Sequence, residues 1–255
     1  MSKIKWGNSS SSLDWDVSGE RLYETGISHG VLYVWDPTKT KPSSAGTDNN
    51  YGRGWYGDGV VWNGLISVSE SPEGAEVTDL YADDMKYASF RSAETFKATI
   101  EAYMYPDEFM DCDGSATLGS MTGVRLGQQY RRPFCFCYRS IVGDDQNSNY
   151  GTVDMYTGND ERYKLHIIYG CTASPSERQY QTINDSPDAI TFSWELDSTP
   201  VMVDGYKPTS IITIDSGLCD SEILKQIEQA LYGTASTAGR ILFPDEIAAL
   251  TTTAG

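Results

Sequence analysis

The chain is short of positive charge. Only 19 Lys and Arg stand against 36 Asp and Glu, for a formal net charge of −17. Nucleic acids are held by basic surfaces that displace counterions, so this balance excludes a general DNA or RNA binder. It also opposes adhesion to anionic lipid. No apolar run approaches the roughly 20 residues needed to cross a bilayer, so no membrane insertion by this chain is expected. The opening MSKIKWGNSSSSLDWD carries two lysines but no apolar h-region and does not read as a secretion signal. Synthesis in the cytoplasm is the expectation. Histidine is scarce, with His29 and His166 alone available for acid–base work beyond the carboxylates. Five cysteines (Cys112, Cys135, Cys137, Cys171, Cys219) form an odd set that fits reduced thiols better than a disulfide framework.

What is abundant favours sheets. Aromatics reach 12% of residues and Gly and Tyr are frequent at 24 and 17, a mix suited to strands and turns rather than a helical bundle. A length of 255 residues suffices for one all-β body with excursions. Period-2 alternation recurs along the chain. In TFKATIEAYMY, Phe96, Ala98, Ile100, Ala102 and Met104 share one face of a half-buried strand. RRPFCFCYRSIV sets Phe134, Phe136 and Tyr138 opposite Cys135 and Cys137. YKLHIIYG sets Leu165, Ile167 and Tyr169 against Lys164, His166 and Ile168, and AITFSWEL alternates Ile190, Phe192, Trp194 and Leu196 with Thr191, Ser193 and Glu195. GVLYVWD and TSIITID add two further strands. The fold class is therefore all-β dominated with a minor helical part, a sandwich or barrel.

One helix stands out near the C-terminus. In CDSEILKQIEQALYG, Asp220 is placed to cap, Glu222 suits the positive first turn, Ile223, Leu224, Ile227 and Leu231 form a stripe, and Gly233 can end it. PDEIAAL, opened by Pro244, predicts a short second one. Residues 1–25 read as a Ser-rich arm carrying Trp6 and Trp15, and 26–255 as the folded domain. Within it DPTKTKPSSAGTDNNYGRG, Asp36 to Gly54, reads as a long exposed loop, a length usually tied to function or disorder.

Several motifs have the letters of a site without its context. Gly26-Ile27-Ser28-His29-Gly30 matches a nucleophile elbow, but a strand follows where the elbow needs a helix. Gly52-Arg53-Gly54-Trp55-Tyr56-Gly57 satisfies a glycine fingerprint yet precedes a strand, so it reads as a turn. Cys135 and Cys137, with Cys112 or His166, have poor spacing for zinc. Asp111-Cys112-Asp113-Gly114 lacks the ligands that would complete a calcium loop. A glycosidase pair needs two carboxylates at a set separation, which a sequence does not give. No catalytic, cofactor or metal residue is assigned, and the chain is not read as an enzyme. Trp55, Tyr56 and Trp62 offer an alternative, a sugar-stacking platform on a carbohydrate-binding β-sandwich.

The most distinctive stretch runs from Trp62 to Gly114. Between Glu70 and Asp84 lie six carboxylates (Glu70, Glu73, Glu76, Asp79, Asp83, Asp84) and no base. Leu80, Tyr81, Tyr87 and Phe90 interleave with the charges and offer apolar area to bury, so this is a folded acidic face rather than a disordered tail.

GVVWNGLISVSESPEGAE, YADDMKYASFRSAETFKATIEAYMYPDEFMDCDG, GQQYRRPFCFCYRS, YKLHIIYG, PSERQYQTINDSPDAITFSWE and ILFPDEIAAL, in this order over residues 26–250, resemble the major tail (tail tube) proteins of long-tailed siphophages. The resemblance implies a β-sandwich with a flanking C-terminal α-helix. It implies homo-hexameric rings stacked into a hollow tube, with inner strands joined into one β-barrel across subunits. It places the chain in the virion, with tape-measure, tail terminator and distal tail proteins as partners and DNA passing through without specific binding. A ring of six copies multiplies the charge of −17, and inward carboxylates repel phosphates. The candidate lumen acids are Glu76, Asp79, Asp83, Asp84, Glu94 and Glu101. The candidate contacts between rings are Trp6, Trp15, Lys39, Lys41, Tyr51 and Arg53, on the arm and the loop.

Overall fold

The computed structural model describes residues 21–41, 54–74, 77–91, 94–143, 162–180, 182 and 189–250. In chain order the strands begin with β1 (Tyr23–Asp36), β2 (Trp55–Tyr56), β3 (Val60–Trp62), β4 (Leu65–Glu73), β5 (Val77–Ala82), β6 (Met85–Arg91) and β7 (Thr95–Ala102). A short helix α1 (Phe109–Cys112) precedes β8 (Ala116–Thr117), β9 (Arg125–Leu126), β10 (Phe134–Gly143) and β11 (Tyr163–Ala173). Then come β12 (Phe192–Ser198), β13 (Ile211–Asp215), α2 (Ser221–Tyr232) and α3 (Pro244–Ala248). The fold is all-β dominated with minor helices.

The described strands form two layers from one branched antiparallel sheet. Strands β2 and β3 pair β1, β1 pairs β10, and β10 pairs β11. Strand β11 is the fork. Its first half, Lys164 to Ile168, pairs β13, while Cys171 to Ala173 pairs β12, which leads on through β7 to β4. The second layer, β12–β7–β4, lies across one face of the first, with Phe109 and Cys112 of α1 in the core between them, and α2 and α3 cover the other face.

The alternating sequences explain this. Phe134, Phe136 and Tyr138 face one core with Leu32, Trp62, Ala98, Ile100, Trp194 and Leu196. Cys135 and Cys137 face a second core with Tyr33, Trp35, Tyr169, Ile227, Leu231 and Phe243. Strand β10 is therefore buried on both sides, where half-burial is the usual expectation for an alternating strand. In the inter-sheet core Trp62 is 1% exposed, packs on Phe109 with ring centroids 4.5 Å apart, and donates its indole N–H to the Met104 carbonyl at 2.9 Å. Aromatic contacts of this kind add to the area term.

On the helical side, the Asp220 side chain accepts from the Glu222 and Ile223 amides, and Leu224, Ile227 and Leu231 are buried, as the sequence indicates. The Tyr33 hydroxyl donates to the Leu231 carbonyl at 2.7 Å, satisfying a group at the helix end that has no helical partner. Gly233 takes φ 81°, and a Cβ there would sit 2.6 Å from the Thr237 carbonyl oxygen, so only glycine closes this end. In α3, Pro244 holds the first turn and the Glu246 carboxylate accepts from the Phe243 amide at 3.1 Å.

Three sequence expectations are corrected. The sheet starts at Tyr23, within the segment assigned to the arm, because Tyr23, Glu24 and Thr25 pair Gly143, Val142 and Ile141. Met104 is 58% exposed rather than inward, since β7 stops at Ala102 and the chain turns away. Trp55, Tyr56 and Trp62 are 3%, 4% and 1% exposed, so they form core rather than a sugar-stacking platform.

Candidate functional site

The outer face of the β12–β7–β4 layer is built by simple alternation. Inward positions Ala98, Ile100 and Ala102 pack on the core, which turns Thr95, Lys97, Thr99 and Glu101 outward. Their partners across β4 are Glu73, Ser71, Ser69 and Ser67, and across β12 Asp197, Glu195 and Ser193 stand beside Lys97, Thr99 and Glu101. The face is thus hydroxyls and acids, with four carboxylates (Glu73, Glu101, Glu195, Asp197) and the single cation Lys97 among these positions. Lys97 pairs Glu73 at 3.0 Å, and Ser67 donates to Glu101 at 2.9 Å. The Glu73 hydrogen bond and the nearby Glu73, Asp197 and Glu195 charges hold the Lys97 ammonium above its ordinary range. Among the described residues β4 pairs only with β7, and its other edge is open.

Beyond Glu73 and Thr95 the same two chain segments continue as a separate two-stranded ribbon, β5–β6. A two-residue turn joins them, with Asp83 and Asp84 both at positive φ (51° and 60°), the turn that suits the strand twist and that Asp tolerates. The ribbon leaves its apolar side chains uncovered. Val77 and Tyr81 lie on one face and Leu80 on the other, and Tyr81, Met85, Tyr87 and Phe90 are 71%, 68%, 77% and 59% exposed. The apolar area that the sequence offers for burial is not covered by the described residues. A two-stranded hairpin is marginal alone, and monomers rarely expose so contiguous an apolar set.

Behind the acidic face a cavity of about 500 Å³ opens between the layers, lined by Glu24, Glu70, Tyr138, Ser140 and His166 among others. Ser140 Oγ lies 3.0 Å from His166 Nε2, and His166 Nδ1 lies 3.4 Å from Glu70 Oε1, the order of a Ser–His–acid triad. The proton inventory argues for a clasp instead. Ser140 directs its one hydroxyl proton to Glu24 at 2.5 Å and so does not offer it to His166, while Thr213 Oγ1 lies 3.4 Å from Nδ1. Ser140 also sits mid-strand between two paired neighbours, with no strained turn to present it. Glu70 accepts from Tyr138 at 2.6 Å, and Tyr138 stacks on His166 at 4.7 Å. The His166 hydrogen bond, opposed by burial and aided by Tyr138, holds Glu70 below the usual carboxylate range. Burial raises Glu24, but Lys164 and Ser140 outweigh it and the net shift is downward. The group ties β1, β4, β10, β11 and β13 together.

Of the candidate lumen acids, Glu101 alone lies on the outer face beside Glu73, Glu195 and Asp197. Asp79 is on β5, paired to Lys86 at 2.8 Å, Asp83 and Asp84 form the ribbon tip, and Glu94 is exposed just before β7. Glu76 lies outside the described residues. Glu195 and Asp197 escaped selection although the alternation of AITFSWEL already sets Glu195 opposite Trp194. Lys39 pairs Asp58 at 3.2 Å and Lys41 sits 5.9 Å from the Trp55 ring centre, so each has a partner within the chain. Trp6, Trp15, Tyr51 and Arg53 lie outside the described residues.

The remaining motifs are structural. Ser28 and His29 lie within β1, where a hydrogen bond of 3.0 Å joins neighbours on a strand. Cys135 and Cys137 belong to the helix-side core and Cys112 to the inter-sheet core, while His166 lines the cavity; burial pushes the Cys135 and Cys137 thiols up to about 12. Asp111 and Asp113 pair Arg125 and Arg131 at 2.6 and 3.3 Å. No protein-family model matches the chain, and a search of curated proteins returns no match.

Proposed function

We propose that this chain is the structural subunit of a hollow tube, the major tail tube protein of a long-tailed phage. It would assemble as homo-hexameric rings stacked end to end, with β12–β7–β4 lining the channel. The observation that carries this reading is the outer face of that layer. Small hydroxyls and four carboxylates around one lysine make a surface that repels phosphate and offers no aromatic for a base to stack on. DNA would pass such a face without being held. The open edge of β4 supports the same reading, because an unpaired strand edge is a hazard that closure into a barrel across subunits removes. The uncovered β5–β6 ribbon adds apolar area that a neighbour can bury.

The test is negative-stain microscopy of the concentrated protein together with its mass in dilute solution. Hollow tubes or six-membered rings are expected. A monomer at every concentration, alone and with tail initiator or tape-measure proteins added, would overturn the reading.

A further inference from the structure

We infer that the β5–β6 ribbon of one copy docks on the ledge Gly114–Arg132 of a neighbouring copy. This rests on the self-assembly proposed above and names its contact. Among the described residues the ledge is the longest other run of large uncovered apolar side chains. Leu118, Met121, Val124, Leu126 and Tyr130 fall within one short stretch around the β8–β9 pair and are 38%, 51%, 42%, 43% and 81% exposed. Neither surface covers the other within the chain.

Charge separates this ledge from the rest of the surface. The ribbon is acidic at its tip, where Asp83 and Asp84 stand exposed, and its Lys86 is already paired to Asp79. The ledge from Gly114 to Arg132 contains Arg125, Arg131 and Arg132 and no acid. Arg178 joins them against Asp113, so four arginines meet two aspartates, Asp111 and Asp113. Counting Asp107 and Glu108 on the turn before α1, and Glu177 beside Arg178, brings the region to −1, close to neutral within a chain of −17. A ribbon with an acidic tip meets least repulsion on an apolar surface of this kind. The two surfaces differ, so the contact is head-to-tail. Such contacts close into rings when the rotation allows.

The experiment places a benzoylphenylalanine photo-crosslinker at Tyr87 in the full chain, mixes it with isotopically labelled chain, irradiates the assembled material and maps the crosslinked peptides. Crosslinks from the crosslinker copy to Leu118–Tyr130 of a labelled copy are expected. Tubes whose crosslinks fall elsewhere would overturn this docking and leave the assembly standing. Absence of both assembly and crosslinks between copies would overturn the two together. A second variant, Met121→Ser with Tyr130→Ser, alters only exposed side chains, so its thermal unfolding should match the parent. The concentration it needs to assemble should rise roughly tenfold or more. Assembly at the parent's concentration would also overturn the docking.

Discussion

Strands β10 (FCFCYRSIVG) and β6 (MKYASFR) are both rich in aromatics, and they meet opposite fates. In β10, Phe134, Phe136 and Tyr138 enter one core, Cys135 and Cys137 another, and no large apolar side chain is exposed. In β6, Met85, Tyr87 and Phe90 are 68%, 77% and 59% exposed. The difference lies in the layers each strand belongs to. Strand β10 has the β12–β7–β4 layer on one side and α2 with the Ile241–Phe243 segment on the other. Among the described residues, strand β6 has only β5 beside it and no layer on either face. One region is covered on both faces and the other, among the described residues, is left open. Substitutions in the two regions should therefore report on different equilibria, folding in the first and association in the second.

The largest effect is expected from Trp62→Ala. The side chain is 1% exposed and lies among Phe109, Phe136 and Trp194. Loss of its area, plus the cavity left behind, should cost about 3–5 kcal/mol in denaturant unfolding of the monomer. It also frees the Met104 carbonyl from its indole partner. A loss under about 1 kcal/mol would mean that the two layers are not held by this cluster, and the contrast with the ribbon would collapse.

A smaller effect should come from the clasp that joins the layers. Glu70 is held below its ordinary value of 4.5 by the His166 hydrogen bond and by Tyr138 against burial. A carboxylate depressed in the folded state contributes stability that is fully present above its unfolded value. That contribution is lost as pH falls through the lower folded value. Stability should therefore decline below about pH 4.5. Glu70→Gln should lower stability at neutral pH by roughly 1.5–3 kcal/mol and flatten the acid limb. Glu24 and Asp215, also depressed, keep part of the slope. An acid limb as steep as the parent's would remove Glu70 from the linkage.

Period-2 spacing made most of this architecture legible. It named the faces of β7, β10, β11 and β12 and, with the Asp220 cap and the Gly233 end, the helix α2. It could not say that β10 is covered on both sides, because alternation of Phe with Cys looks the same whether the second face meets a helix or water. Nor could it join Glu24, Glu70, Ser140 and His166, which come from strands far apart in the chain and meet only where the layers separate. Of the outer face, Glu101 was legible as part of an acidic stretch. Glu195 and Asp197 lie 94 and 96 residues further on and are brought alongside only by the register of β12 on β7. The ribbon misled in an instructive way. Leu80, Tyr81, Tyr87 and Phe90 offer apolar area for burial, yet all four are exposed among the described residues, because hydropathy marks area that can be buried and not whether a layer lies over it.

The smallest effect on folding, and the largest on assembly, should come from Tyr81→Ser, Tyr87→Ser and Phe90→Ser combined. These rings are 71%, 77% and 59% exposed and touch no core, so monomer unfolding should move by no more than about 0.5 kcal/mol. The hairpin itself is set by its Asp83–Asp84 turn and by the ladder from Val77–Arg91 to Ala82–Met85, which the substitutions leave in place. Tube growth, measured by light scattering and microscopy at matched concentration, should disappear. Trp62→Ala and this triple variant then form a crossed pair. The first lowers stability, and any loss of assembly it shows follows from unfolding. The second removes assembly from a protein that remains folded. If the triple variant instead unfolded several kcal/mol more easily, the ribbon would be packing on its own body, and the open apolar surface on which association depends would not exist.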